Sequence, residues 1–128
     1  MVNKIIYADD GEGMRNTMKL FFKYHLEDYE LESYENGISV EKKLEELAIN
    51  KNNTKAIVLD NQMELGLTGG ELIKKYANKI NTPFILAYGG NDEIGYSAIE
   101  DGAYAFIKKP FSLKDISNLI FKAIEEYS

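Results

Sequence analysis

The chain has 128 residues, of which 45% are hydrophobic and 28% charged, an ordinary balance for one globular domain with a core of its own. Its net charge of −6 argues against a nucleic-acid partner, and the absence of cysteine excludes a disulfide framework and thiolate zinc sites. No apolar run approaches the ~20 residues that span a bilayer, so no membrane insertion is expected.

The start, "MVNKIIYADD", has no long apolar segment or small-residue cleavage site, and a cytoplasmic location is the expectation. A first strand is predicted over Lys4 to Ala8, running straight into Asp9 and Asp10. Met14, Met18, Phe21 and His25 then fall at helical spacing. His25, the single histidine, reads as a surface or packing residue at a helix end.

Glu30 to Tyr34 alternates Leu31 with polar neighbours, as an edge strand does, and Val40, Leu44, Leu47 and Ala48 mark a second helix. The polar "NKNNTK" at 50 to 55 is a surface loop. A third strand, Lys55 to Asp60, carries a continuous apolar run and ends on a carboxylate. Thr68 and Glu71 have capping-box spacing before a helix marked by Leu72, Ile73, Tyr76, Ala77 and Ile80.

The fourth strand is Phe84 to Tyr88, followed by Gly89 and Gly90. A helix around Asn91 to Asp101 is the weakest element, because Gly95 inside it costs about 1 kcal/mol against alanine; Gly102 suits its end. The fifth strand, Tyr104 to Lys108, leads into Lys109 and Pro110. Ser112 with Asp115 then opens a last helix marked by Ile116, Leu119, Ile120, Ala123 and Ile124.

Strict alternation of strand and helix implies an α/β fold, a parallel five-stranded sheet covered by helices on both faces, with strand order 2-1-3-4-5. Ligands of such sheets bind beyond the carboxyl ends of strands 1 and 3, where the order reverses. Asp9, Asp10 and Asp60 meet at that rim, with Lys109 arriving from strand 5 and Tyr88 from strand 4. Each has a dull explanation singly, since Asp-Asn is ordinary turn chemistry. Together they form a cluster that must hold a proton or recruit cations. Lys109 supplies one charge, and a hard divalent ion such as Mg2+ suits the rest. Such an arrangement is apt for phosphoryl transfer.

With these residues in view, the chain resembles the receiver domains of two-component response regulators over essentially its whole length. The marks are "YADD", "IVLDNQM", "ENG", "TPFILA" and "EDGAYAFIKKPF". The resemblance implies a single receiver domain over 1–128 whose Asp60 accepts a phosphoryl group from a sensor histidine kinase or phosphotransfer protein. It also implies that Asp10 holds Mg2+ directly, Asp9 through water, Asp60 as a third carboxylate, and Gln62 through its backbone carbonyl. Lys109 would pair with the acceptor and then with the phosphoryl group, across a cis peptide to Pro110. The domain would be a signalling switch rather than an enzyme acting on other substrates.

Three departures stand out. Tyr88 occupies the position where the family usually has threonine or serine, Glu64 stands where it usually has proline, and Gly69 comes one residue late after a longer loop. Freed backbone amides at Gly89 and Gly90 could then cradle the phosphoryl oxygens. Phe106 is expected to lie inward, with the larger Tyr88 ring pointing out over the site or toward Gly90. Weak dependence of switching on phosphorylation follows.

A downstream protein is expected on the face of the fourth helix, fifth strand and fifth helix, which Lys108, Lys114, Lys122, Tyr104 and Phe106 would line. No output domain is expected within the chain. The competing reading is a pseudo-receiver that binds partners without phosphorylation. A haloacid-dehalogenase-type hydrolase would need an acid where Gln62 stands, and a flavodoxin would not place "ADDGEGM" where an anion binds.

Overall fold

The computed structural model describes residues 2–50 and 52–127. Strands β1 (Asn3–Ala8), β2 (Tyr29–Tyr34), β3 (Thr54–Asp60), β4 (Phe84–Tyr88) and β5 (Ala105–Lys108) alternate with helices α1 (Glu12–His25), α2 (Gly37–Ile49), α3 (Gly69–Tyr76), α4 (Glu93–Glu100) and α5 (Leu113–Tyr127). All neighbouring strands pair in parallel, in the order β2-β1-β3-β4-β5. The expected architecture is the observed one, with boundaries within two residues for the strands.

Why the chain folds this way is visible in the pleat. Successive side chains of a strand point to opposite faces. Ile6 and Ala8 of β1, Ile57 and Leu59 of β3, and Leu86 and Tyr88 of β4 meet α2, α3 and α4 in one core. Ile5 and Tyr7, Ala56 and Val58, and Ile85 meet α1 and α5 in the other. The three central strands are therefore covered on both sides, which accounts for their unbroken apolar runs. β2 and β5 stay partly exposed at the edges.

Helix boundaries follow local chemistry. The Thr68–Glu71 capping box is complete, with Glu71 N donating to Thr68 Oγ1 at 3.1 Å and Thr68 N to Glu71 Oε1 at 2.9 Å. Before α5 only half of the expected box forms, as Asp115 N donates to Ser112 Oγ at 3.0 Å. Asn36 caps α2, its Oδ1 accepting from Ser39 N at 2.8 Å, a cap the sequence reading missed. Gly102 follows α4 at φ +112°, a conformation that suits glycine at a helix end.

The weak point of the sequence reading has a physical answer. α4 does form around Gly95, because a Cβ there would stand 2.8 Å from Phe106 Cδ1 and Cγ and 3.0 Å from Tyr88 Cε1. Close packing on two rings requires the absence of a side chain there, which offsets the poor helix propensity of glycine. The longer β3–α3 loop is anchored as well. Gly37 N donates to Leu65 O at 2.7 Å, and Gly66, at φ +84°, lies against the backbone of Gly37 and Ile38.

Candidate functional site

Period-two alternation carries Asp9 and Asp60 to the face that β1 and β3 share with α1 and α5, in line with Ile5, Tyr7, Ala56 and Val58. Both are strand-end carboxylates with almost no exposure, 2% for Asp9 and 3% for Asp60. Asp10, one residue further, is exposed. Each of the three offers a carboxylate oxygen, and those atoms lie within 4.8 Å of one another. Lys109 Nζ donates to Asp60 Oδ2 at 3.0 Å and to Asp9 Oδ2 at 3.3 Å. The Lys109–Pro110 peptide is cis, as expected.

The cluster carries more negative charge than its ammonium neutralises. Carboxylate oxygens no more than 4.8 Å apart repel by at least about 3.5 kcal/mol at an effective dielectric of about 20. Burial pushes the Asp60 carboxyl above its usual range; the Lys109 bond opposes this and the Asp9 charge adds to it. Burial acts to lower Lys109, but its bonds and attraction to Asp60 and Asp9 outweigh it and the ammonium sits above its usual range. Both directions describe one site short of positive charge. Its donors are hard oxygens on a partly open rim, which fits a divalent ion of the magnesium type and no soft metal.

Gln62 sits beside the cluster, its backbone N–H donating a long 3.4 Å bond to Asp60 Oδ1. Two residues that the sequence reading passed over also belong here. Tyr7 donates its buried hydroxyl to Asp9 Oδ2 at 2.7 Å, and Arg15 Nη1 donates to the Asp9 carbonyl at 2.7 Å. The signal for Tyr7 was present, since a phenol in a doubly covered strand needs a partner and Asp9 is the next residue on its face. Arg15 left no such signal, because its contact depends on how α1 docks.

Tyr88 is where the expectation fails. The ring does not point out over the acid cluster or toward Gly90. It is 2% exposed and packs edge to face against Phe106, centroids 5.7 Å apart, with its hydroxyl donating to Asp92 Oδ1 at 3.0 Å. Strand parity sends residue 88 to the α4 side, and Gly95 makes room for both rings, so Tyr88 and Phe106 share a space thought too small for them. Phe106 does lean inward, half-buried between Tyr88 and Tyr96. Lys108 Nζ joins the same Asp92 oxygen at 2.9 Å. Asp92 is drawn below the usual carboxylate range by the Lys108 bond first and then by Tyr88.

A family model for the response regulator receiver domain matches residues 5–121. The chain belongs to this family. Among solved structures, a receiver domain protein from Clostridium thermocellum shares 20% identity with this receiver domain at a TM-score of 0.82, covering 98% of this chain and 96% of that one. A CheY-like receiver domain protein from Methanospirillum hungatei JF-1 shares 22% at 0.84, with 99% and 97% covered. The beryllofluoride-activated NtrC4 receiver domain dimer shares 23% at 0.80, with 98% of each chain covered. At these identities the likeness is one of fold. No curated protein sequence matches this receiver domain significantly.

The face of α4, β5 and α5 is more aromatic and less basic than the sequence suggested. Tyr96 is 60% exposed and Ile99 42%, neither of them foreseen. Lys114 and Lys122 are exposed as expected, whereas Lys108 is tied to Asp92. Tyr104 hydrogen-bonds Glu126 and stacks its edge on Tyr127. No described helix is long and apolar enough to cross a membrane.

Proposed function

We propose that this receiver domain accepts a phosphoryl group on Asp60 from a phosphohistidine of a sensor kinase or phosphotransfer protein. The result is read out by changed protein binding. The observation that carries this reading is the convergence of Asp9, Asp10 and Asp60 within 4.8 Å, with Lys109 bridging the two buried members. An Asp60 oxygen attacks phosphorus while the phosphorus–nitrogen bond to the donor imidazole breaks, and the imidazole retains the electron pair and takes a proton. Mg2+, held by Asp9, Asp10, Asp60 and the Gln62 carbonyl, would supply the positive charge that lets a phosphoryl group approach carboxylates. Lys109 moves its point charge from the acceptor to the phosphoryl oxygens.

A shallow hollow of Met14, Pro110 and Phe111 beside Lys109 gives a donor an apolar footing next to the acceptor. The downstream partner would use the α4–β5–α5 face, where Tyr96, Ile99 and Phe106 lie close to the surface. Cytoplasmic location and output through another protein follow from this reading.

A second reading, a pseudo-receiver that binds partners unmodified, has one observation in its favour. The Tyr88 hydroxyl is engaged by Asp92, and its ring already packs edge to face on an inward-leaning Phe106. Phosphorylation would then change the α4 face little. Incubation with acetyl phosphate and Mg2+, followed by intact-mass measurement, separates the two. One phosphoryl adduct is expected, abolished by Asp60→Asn and by EDTA. No adduct on the wild-type protein would favour the pseudo-receiver.

A further inference from the structure

Tyr7 is an unusual residue to find in the middle of this sheet. Its β1 neighbours Ile5, Ile6 and Ala8 are fully buried aliphatic side chains, and Tyr7 is buried as deeply, at 1% exposure. Its ring lies in the core that α1 and α5 form with the sheet, alongside Met18, Phe22 and Ile116. A buried phenol costs stability unless its hydroxyl finds a partner, and a smaller aliphatic residue would avoid the difficulty altogether. The hydroxyl goes to Asp9 Oδ2 at 2.7 Å, inside the acid cluster.

The Asp9 carboxylate accepts from three partners, Tyr7 being one. Lys109 reaches the same Oδ2 at 3.3 Å, and Gly11 N reaches Oδ1 at 2.9 Å. Lys109 lies closer to Asp60, at 3.0 Å, and Gly11 belongs to the loop before α1. Tyr7 alone holds the carboxylate from a strand buried on both faces. The final torsion of an aspartate is broad and roughly two-fold, so without a fixed donor the carboxylate plane is free to turn. Donors behind a ligating carboxylate orient it, and their loss typically weakens metal binding about 10- to 100-fold.

We infer that Tyr7 is a positioning residue for divalent-ion binding, acting through the carboxylate of Asp9. The inference rests on the proposed reading of the acid cluster as a metal site. By fixing the plane of Asp9 it holds the cluster ready for Mg2+ and leaves Lys109 to serve Asp60. Removing the hydroxyl loosens Asp9 and draws Lys109 toward it.

The test compares wild type with Tyr7→Phe, which keeps the ring in its apolar surroundings. Mg2+ affinity is measured by calorimetric titration, and the rate of phosphorylation by acetyl phosphate is followed as Mg2+ is raised. The expected result is about tenfold weaker Mg2+ binding and a matching rise in half-saturating Mg2+. A purely structural tyrosine would alter the unfolding midpoint of the metal-free protein and leave Mg2+ affinity within about twofold, which would overturn the inference. In the wild-type protein labelled at tyrosine 13Cζ, the Tyr7 resonance should move on Mg2+ addition, and an unmoved resonance would equally overturn it. A wild-type protein that binds no Mg2+ would defeat the underlying reading as well, and is distinguishable because the variant plays no part in that result.

Discussion

Lys108 and Lys109 are neighbours in the chain and sit in opposite kinds of site. Lys109 turns to the α1/α5 face and meets two buried carboxylates, Asp9 and Asp60, with Asp10 beside them. Lys108 turns to the α4 face and meets one exposed carboxylate, Asp92, which also accepts from Tyr88. Both are lysine–aspartate contacts of similar length, 3.0 Å and 2.9 Å, yet the first leaves a surplus of buried negative charge and the second is balanced. Distance alone does not distinguish a pocket with surplus charge from a balanced structural tie. Burial and the local count of charges do.

The titration directions put the contrast in testable form. Asp60 is raised by burial, so its protonated form is favoured by the fold. Its contribution to stability is fully present below the unfolded value of 3.8 and is lost as pH rises through the higher folded value. At neutral pH the charged carboxylate is therefore a burden on the metal-free protein. Asp60→Asn is expected to raise the melting temperature of the metal-free protein at pH 7 by about 3 to 5 °C, as ~1 kcal/mol does for a domain of this size. The gain should shrink as pH is lowered toward 4 and shrink again in excess Mg2+. A melting temperature unchanged or lowered at pH 7 would show that Lys109 already balances the site.

The next largest effect probes the aromatic side. Gly95→Ala gains about 1 kcal/mol of helix propensity, but its Cβ must displace the Phe106 and Tyr88 rings, and overpacking costs roughly 1 to 3 kcal/mol. A net loss of about 1 kcal/mol in denaturant unfolding is expected. It should disappear when Phe106 is shortened to leucine in the same chain. Stabilisation by the full propensity gain in the wild-type background would mean the rings yield freely, and that the α4 face is looser than its packing indicates.

The smallest effect belongs to Asp92. Its folded value is depressed, chiefly by Lys108, so its contribution is present above the unfolded value of 3.8 and is lost as pH falls through the lower folded value. Its side chain is 57% exposed and that of Lys108 51%, where solvent screens the pair. Asp92→Asn should leave the neutral-pH midpoint within error and flatten only the limb below pH ~4, opposite in sign to Asp60→Asn. A sizeable loss at neutral pH would promote the Tyr88–Asp92–Lys108 cluster from tie to structural hinge.

Much of this molecule was legible in its residues. Apolar runs, and at Glu30 to Tyr34 apolar–polar alternation, located the strands, their alternation with helical periods dictated a parallel sheet, and strand ends told where Asp9, Asp60 and Lys109 would meet. These are local properties: period, capping and the side-chain parity of a pleat act within a few residues. What the sequence left open was how side chains from separate elements share space. Tyr88 was expected to project from the fold because its ring is large, but Gly95, on another element, opens the gap that buries it. Gly95 in turn looked like a helix fault until Phe106 was packed against it. The bond from Arg15 to the Asp9 carbonyl depends on the docking of α1, and the exposure of Tyr96 and Ile99 on that of α4. Sequence determined which residues reach the rim, because strand geometry repeats every two residues. Tertiary structure decided which partner each side chain takes there, because packing is settled by volumes that meet from distant parts of the chain.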